Sequence, residues 1–294
     1  MKRPGIWSFA ALWAIALVVG WRPLAATFAL AWGNDQYTHI LLILPVSAAL
    51  IYLDWPALKS ISAPNLRAGA ILLTVAVLLA VILKWVLVVL PSDVRVSIGM
   101  LLVVLWWVGA FVFCFGTRVS RALIFPLCFL FWLVPFPEAM LNAVVTFLQQ
   151  WTTFAASVLF NAAGVPVAKN GFLLTIPGLT LQVAQECSSI RSSLMLLVTT
   201  MVLAQLSLRS PWKKALVVVL AVPLSVAKNA LRIFTIAMLG TRVDPGFLTG
   251  RLHRQGGIVF FLISLAGVFV LLWILRRTEH QALPATALRP ARLG

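Results

Sequence analysis

Long apolar runs alternate with short polar or basic intervals along almost the whole chain. Runs approaching about 20 residues are typical of helices that cross the hydrocarbon core of a membrane. The pattern therefore predicts an all-α polytopic membrane protein with about eight transmembrane helices, at Ile6–Trp21, Ile40–Leu53, Ala68–Leu90, Ile98–Phe115, Ala122–Phe136, Ser188–Leu206, Ala215–Leu239 and Gly256–Leu275.

The chain between residues 138 and 186 follows a different pattern. In Glu138–Ala162, apolar residues recur every three or four positions, which predicts an amphipathic helix at the membrane interface. Asn170-Gly171 then separates two extended runs, and Pro177-Gly178 precedes the alternating segment Leu179–Val183. These are hairpin and strand signals. We expect a small extracytoplasmic region that contains the amphipathic helix and a β-hairpin.

Composition supports a membrane location. Hydrophobic residues make up 62% of the chain, charged residues only 10%, and the mean hydropathy is +1.04. Soluble domains carry about 25% charged residues. We expect a single integral membrane domain over residues 1–277, with 138–186 as its extracytoplasmic insertion, and a cytoplasmic tail over residues 278–294.

The formal net charge of +16 is explained by the loops rather than by a nucleic-acid partner. More than half of the 23 lysine and arginine residues fall on the side of the predicted topology that carries both termini. Basic loops mark the cytoplasm. The hairpin region, Cys187 and His253 are then expected to face outward, and a role in nucleic-acid binding is set aside.

No cofactor or metal is expected. The three cysteines include no Cys-x-x-Cys pair, and the three histidines are far apart in sequence with no His-Glu-x-x-His motif. Cys114 and Cys128 lie inside apolar runs, where a free cysteine is usually a small core residue.

Cys187 is different because charges surround it. Arg191 follows four residues later on the same helix face, and Arg232 is expected roughly 12 Å inside the outer end of its helix. His253 precedes the last span on the same outer side. A thiolate nucleophile, an imidazole that exchanges protons and a guanidinium that stabilises an oxyanion suffice for acyl transfer through a thioester.

Other interpretations remain open. A lone membrane cysteine is more often a packing residue than a nucleophile, and a loop histidine is usually just solvated. Lys228 and Arg232 are four residues apart on one helix face, and two cations in one span need polar partners or a cavity. They could therefore line an anionic path, so the alternative function is a transporter or assembly factor for exported polysaccharide. A glycan or lipid transferase without covalent catalysis ranks lower.

Several motifs together resemble the exosortase/archaeosortase family. Three of them surround the residues discussed above: Gln185–Ser193 before an apolar helix, Pro223 followed by Asn229–Ile233, and His253 followed by Gly256-Gly257 and Phe260. This chain has Ser189 where the family usually has glycine. The resemblance also includes Tyr37–His39, Phe125-Pro126, Pro135–Glu138 and Gly164–Val167, and it extends over roughly Asp35 to Phe260.

The resemblance implies a cysteine transpeptidase or protease in the bacterial inner membrane, with its active site facing the periplasm. Cys187 would be the nucleophile, Arg232 the oxyanion stabiliser and His253 the general acid/base, with Arg191 and Asn229 in support. The partners would be exported proteins with a C-terminal sorting signal of the PEP-CTERM type, together with membrane lipid and an acceptor of unknown identity. No catalytic role is expected for Tyr37–His39.

Overall fold

The computed structural model describes residues 4–183, 190–248 and 257–281. These residues form two compact units, with the division between Asn142 and Ala143 inside one helix. The division of the sequence into a 1–277 membrane domain with a 138–186 insertion and a 278–294 tail stays a prediction.

The first unit is helical. Its elements are α1 (Pro4–Val19), α2 (Trp21–Gly33), a 3₁₀ turn at Asp35–Tyr37, α3 (Ile40–Leu58), α4 (Leu66–Val89), α5 (Ser92–Ala122), α6 (Ile124–Phe129) and a 3₁₀ turn at Leu130–Leu133. Helices α1, α2 and α4 pack on α5, whereas α3 packs on α6 and the second 3₁₀ turn.

Helices α1 and α2 form a pair bent by 76°, so the first span is either broken or re-entrant. The bend is at Gly20, whose amide still donates to the carbonyl of Ala16 at 2.8 Å. A Cβ at this position would lie 2.5 Å from Val103 Cγ2 on α5. The absence of a side chain therefore lets the bend approach α5 closely.

Two glycines allow close approaches between α5 and the preceding part of the chain, one at α4 and one at the loop before it. A Cβ on Gly69 would lie 2.3 to 2.5 Å from backbone atoms of Phe113, so α4 and α5 touch backbone to backbone there. Gly116 interrupts α5 with φ of 84°, and the carbonyl oxygen of Ala63 occupies the space that its Cβ would fill. Membrane helices use small residues in this way to gain packing contacts.

The predicted span Ala122–Phe136 is wrong. The chain forms only the short apolar segment Ile124–Leu133 there, which at about 1.5 to 2 Å per residue is too short to cross a core of about 30 Å. Val134 is extended because residues that precede proline avoid the helical region, and Pro135 and Pro137 follow. Apolar composition alone could not reveal this early end.

The Tyr37–His39 motif has a structural role in the first unit. The Tyr37 hydroxyl donates to the carbonyl of Phe136 at 2.9 Å, and Ser97 donates to that of Pro135 at 2.7 Å. The Asp93 carboxylate accepts from the Glu138 amide at 2.8 Å, as a cap at a helix start does. Together these bonds position the beginning of the next helix.

The second unit combines membrane helices with a small sheet. Helix α7 (Glu138–Ala162) enters it, and strands β1 (Ala168–Asn170), β2 (Leu173–Ile176) and β3 (Leu179–Gln182) follow. Helices α8 (Ile190–Ser207), α9 (Pro211–Arg242) and α10 (Gly257–Gln281) complete it, with a 3₁₀ turn at Pro245–Leu248. The sheet is antiparallel in the order β1-β2-β3.

The hairpin prediction is confirmed at both turns. Gly171 and Gly178 have φ of 58° and 81°, the left-handed conformation that two-residue turns need and that glycine adopts at no steric cost. One core cluster joins the sheet to α7 and α9 through Phe160, Leu174 and Ala230. A second cluster, which includes Leu196, Val217 and Val268, joins α8, α9 and α10.

Seven of the described helices are long and apolar enough to cross a membrane, or eight if the bent α1–α2 pair is one span. This confirms the predicted all-α polytopic class. Helix α7 has the predicted bounds and is one of the seven, although its apolar window is the least hydrophobic of them. Its location at the interface stays a prediction.

The close contact of Gly69 with Phe113 predicts that a glycine-to-alanine substitution has different effects on stability at Gly69 and at Gly33. We expect Gly69→Ala to destabilise the protein by about 1 to 3 kcal/mol, because the new methyl group overlaps the Phe113 backbone. A Cβ at Gly33 in α2 meets no atom within 4 Å, so Gly33→Ala is expected to be neutral or slightly stabilising. Thermal unfolding in detergent measures both, and equal effects would contradict this packing.

Candidate active site

The predicted site residues divide into two groups. Cys187 and His253 lie outside the described residues, in 184–189 and 249–256. Arg191 is exposed at the second position of α8, Asn229 is completely buried in α9, and Arg232 is half-buried one turn further along. The site is therefore described through the residues that flank the segments 184–189 and 249–256 in the sequence. We call these two the remaining segments.

Lys228 is the most buried cation of this region, with 5% of its surface exposed. Its Nζ donates a hydrogen bond to Oγ of Ser192, in the first turn of α8. An ammonium group within a membrane helix is expensive unless polar groups surround it. The contact therefore gives Lys228 a polar partner and holds the middle of α9 against the beginning of α8.

A second hydroxyl contact strengthens the same junction. The hydroxyl of Ser225 donates to that of Ser193 at 2.6 Å, and both side chains are buried. Ser225 and Lys228 are three residues apart on α9, and their partners are consecutive on α8. Residue 187 is three residues before Ile190, the first residue of α8, so covalent geometry limits the separation of their Cα atoms to about 11 Å.

Arg232 lies beside the start of the last helix. Its Nη1 atom is 3.9 Å from the position that a Cβ on Gly257 would take. Gly257 is the first residue of α10 and follows residue 253 by four positions. The chain therefore limits the distance between the Cα atoms of residues 253 and 257 to about 14 Å. One face of α9 thus contacts the helices that follow both remaining segments.

On the other side of Cys187 in the sequence, Val183 is held firmly. Its amide donates to the carbonyl of Phe172 at 2.9 Å, and its carbonyl accepts from Nε2 of Gln149 at 3.0 Å. Val183 and Gln149 are both buried. The chain that enters the segment 184–189 is therefore anchored to both the sheet and α7.

The serine contacts of this region were missed by the sequence interpretation. The two cations Lys228 and Arg232 in one span required polar partners. Ser192 and Ser193 were available in the preceding apolar run and Ser225 in the same run. Serine is common in membrane helices, however, so only the packing of α8 on α9 identifies which hydroxyls meet the cation.

The described residues contain no grouping of three or more histidine, cysteine, aspartate or glutamate side chains that could hold a metal ion. The two described cysteines, Cys114 and Cys128, are both in the first unit, and only Cys114 is buried.

A family model described as transmembrane exosortase matches residues 32–270, most of the chain. The chain belongs to the transmembrane exosortase family. This exosortase is therefore, in its general class, a membrane-embedded sorting enzyme. The match includes α7, α8 and α9, the first half of α10, and the segments with Cys187 and His253. No curated protein and no solved structure matches this exosortase.

Lys228 allows function to be separated from stability. We expect Lys228→Met to leave the unfolding temperature unchanged or higher, because a methionine of similar length removes a buried charge. Processing of a sorting-signal reporter is expected to fall at least about tenfold, since buried ionisable groups in membranes serve function. Lys84→Met, at an exposed position of α4, is the control and should change neither quantity. A strongly destabilised Lys228→Met protein would show that the ammonium is structural.

Proposed function

We propose that this exosortase is a cysteine transpeptidase that cleaves C-terminal sorting signals of exported proteins, of the PEP-CTERM type, through a thioacyl intermediate. Cys187 is the nucleophile, His253 the general acid/base and Arg232 the oxyanion stabiliser, with Arg191 and Asn229 in support. The contacts of Lys228 with Ser192 and of Arg232 with the start of α10 support this proposal, because both remaining segments adjoin helices that touch one face of α9.

The reaction follows from these groups. His253 accepts the thiol proton of Cys187, and the thiolate attacks the carbonyl carbon of the scissile amide. The negative charge that develops on the carbonyl oxygen is stabilised by the guanidinium of Arg232. The C–N bond breaks, the leaving amine takes the proton from His253, and the acyl group remains on sulfur as a thioester.

The second half of the reaction releases the product. An acceptor on the outer side, such as an amine, transfers a proton to His253 and attacks the thioester carbonyl. The C–S bond then breaks and the thiolate is regenerated. Water in place of the acceptor would give hydrolysis, so the same residues serve a transpeptidase and a protease.

The proposed location is the bacterial inner membrane, with the site open to the periplasm. The substrate is anchored by its own membrane helix, and both molecules are confined to the same lipid layer. Confinement raises their effective concentration, so weak recognition of a short motif can suffice for binding.

The nucleophile is tested by Cys187→Ala. We expect full-length reporter carrying a short motif, a hydrophobic helix and terminal arginines to accumulate in the membrane, because no thioester can form. Immunoblotting of membrane and secreted fractions measures this. Cys128→Ala, at an exposed position in the first unit, is the matched control and should process normally. Normal processing by Cys187→Ala would exclude Cys187 as the nucleophile.

The oxyanion role is tested by Arg232→Gln. Loss of a donor to the transition-state oxyanion typically lowers the rate by about 10² to 10³-fold, and Arg232→Lys should recover only part of it because the forked donor geometry is lost. Arg242→Gln, at the exposed end of the same helix, is the control. Single-turnover rates of thioester formation measure the effect. Equal rates for the two glutamine variants would refute this role.

A further inference from the structure

Strand β3 forms one edge of the sheet, and among the described residues no other strand pairs with it. The opposite edge is β1. Thr180 and Gln182 of β3 are exposed, whereas Leu179 and Leu181 pack partly against the core cluster shared with α7 and α9. One face of β3 is therefore fixed, while the edge beyond it lacks a partner strand within the described ranges.

The register determines which backbone groups of β3 point to this edge. The hydrogen bond from the Val183 amide to the Phe172 carbonyl marks this pair as a hydrogen-bonded one. In an antiparallel ladder, hydrogen-bonded pairs alternate with pairs whose backbone groups point outward. Leu181, opposite Leu174, is therefore bonded to β2 as well. Thr180 and Gln182 belong to the other set and direct their N–H and C=O groups away from β2.

The two edge strands of the sheet, β1 and β3, differ in how well their sequences prevent pairing with a further strand. Proteins blunt exposed edges with lysine, proline or bulges, because an open edge recruits other strands. The β1 edge has Lys169 at its outward-directed position, whereas the sequence of β3 is Leu-Thr-Leu-Gln, without charge or proline. The edge that leads to Cys187 is thus the one that remains suited to pairing.

The position of β3 in the chain indicates the occupant. Val183 directly follows β3 and is anchored by the sheet and by Gln149. Cys187 is four residues further along, so chain length limits the distance between these two Cα atoms to about 14 Å. A peptide that pairs with β3 rises about 3.3 Å per residue, so about four further residues bring its backbone to the same distance.

We infer that the substrate's extended segment, between its exported domain and its membrane helix, binds this exosortase as a fourth strand along the β3 edge. The inference rests on the proposed function, since it identifies the binding mode of the same substrate. Backbone hydrogen bonds to Thr180 and Gln182 hold the segment irrespective of most side chains. The scissile bond then reaches Cys187 a few residues beyond the paired part.

The test removes only the outward N–H groups. Thr180→Pro and Gln182→Pro each delete one donor at the open edge without breaking a β2–β3 bond, and proline is tolerated at such edge positions. With full-length enzyme in membranes and the sorting-signal reporter as probe, we expect each variant to lower the processing rate about tenfold. Thr180→Ala and Gln182→Ala keep the N–H groups and should process within about twofold of the parent.

Lys169→Pro is the matched control, because it deletes the outward N–H at the opposite edge of the same sheet. It should process normally. Cys187→Ala enzyme with bound reporter provides a second measurement, in which hydrogen exchange at the Thr180 and Gln182 amides is expected to slow at least about tenfold relative to enzyme alone.

The outcomes separate the two proposals. Normal processing by both β3 proline variants, equal losses for proline and alanine, or unchanged exchange with bound reporter would each overturn the β3 inference. If Cys187→Ala itself processes the reporter, the proposed function fails instead. Losses confined to the β3 prolines, with slowed exchange, support edge binding.

Discussion

The burial of two cations within one apolar helix is the constraint around which the second unit is organised. Lys228 and Arg232 occupy one face of α9, one turn apart. An unpartnered charge in a membrane interior costs at least about 2.5 kcal/mol, so the neighbouring helices must supply polar groups at this depth. Helix α8 supplies the hydroxyl of Ser192, and Nη1 of Arg232 lies 3.9 Å from the position of a Cβ on Gly257, the first residue of α10. Lys228 and Arg232 therefore lie where α9 meets the beginnings of α8 and α10.

The small sheet gives the same region a rigid starting point. A reactive group is useful only where its supporting residues are locked in position. Val183 is held by β2 and by Gln149 of α7, and the core cluster with Phe160 and Ala230 ties the sheet to both helices. The segment with Cys187 therefore follows a residue, Val183, that is anchored to the sheet and to α7. It precedes the start of α8, which two serines bind to α9 through hydrogen bonds.

The turn residues made the small sheet predictable from the sequence. The length of an apolar run, in contrast, did not by itself show whether the run forms a transmembrane helix. Asn170-Gly171 and Pro177-Gly178 specify tight turns through their own backbone preferences, so the hairpin needs no distant partner to be recognised. Ala122–Phe136 is as apolar as a span, yet its helices end after Leu133 because proline follows and the chain bonds back to Ser97 and Tyr37. The bend at Gly20 likewise depends on contact with Val103, far away in sequence.

By itself, the sequence determined the membrane class, the helical character, the hairpin and the motifs of the exosortase family. Each of these depends on composition, on the periodicity of apolar residues or on residues adjacent in the chain. The tertiary structure decided which hydroxyls meet Lys228, which helix start adjoins Arg232 and which sheet edge is left open. These are contacts between residues about 25 or more positions apart, or properties of strand register. Such contacts arise from packing, for which no local pattern in a single chain is specific enough.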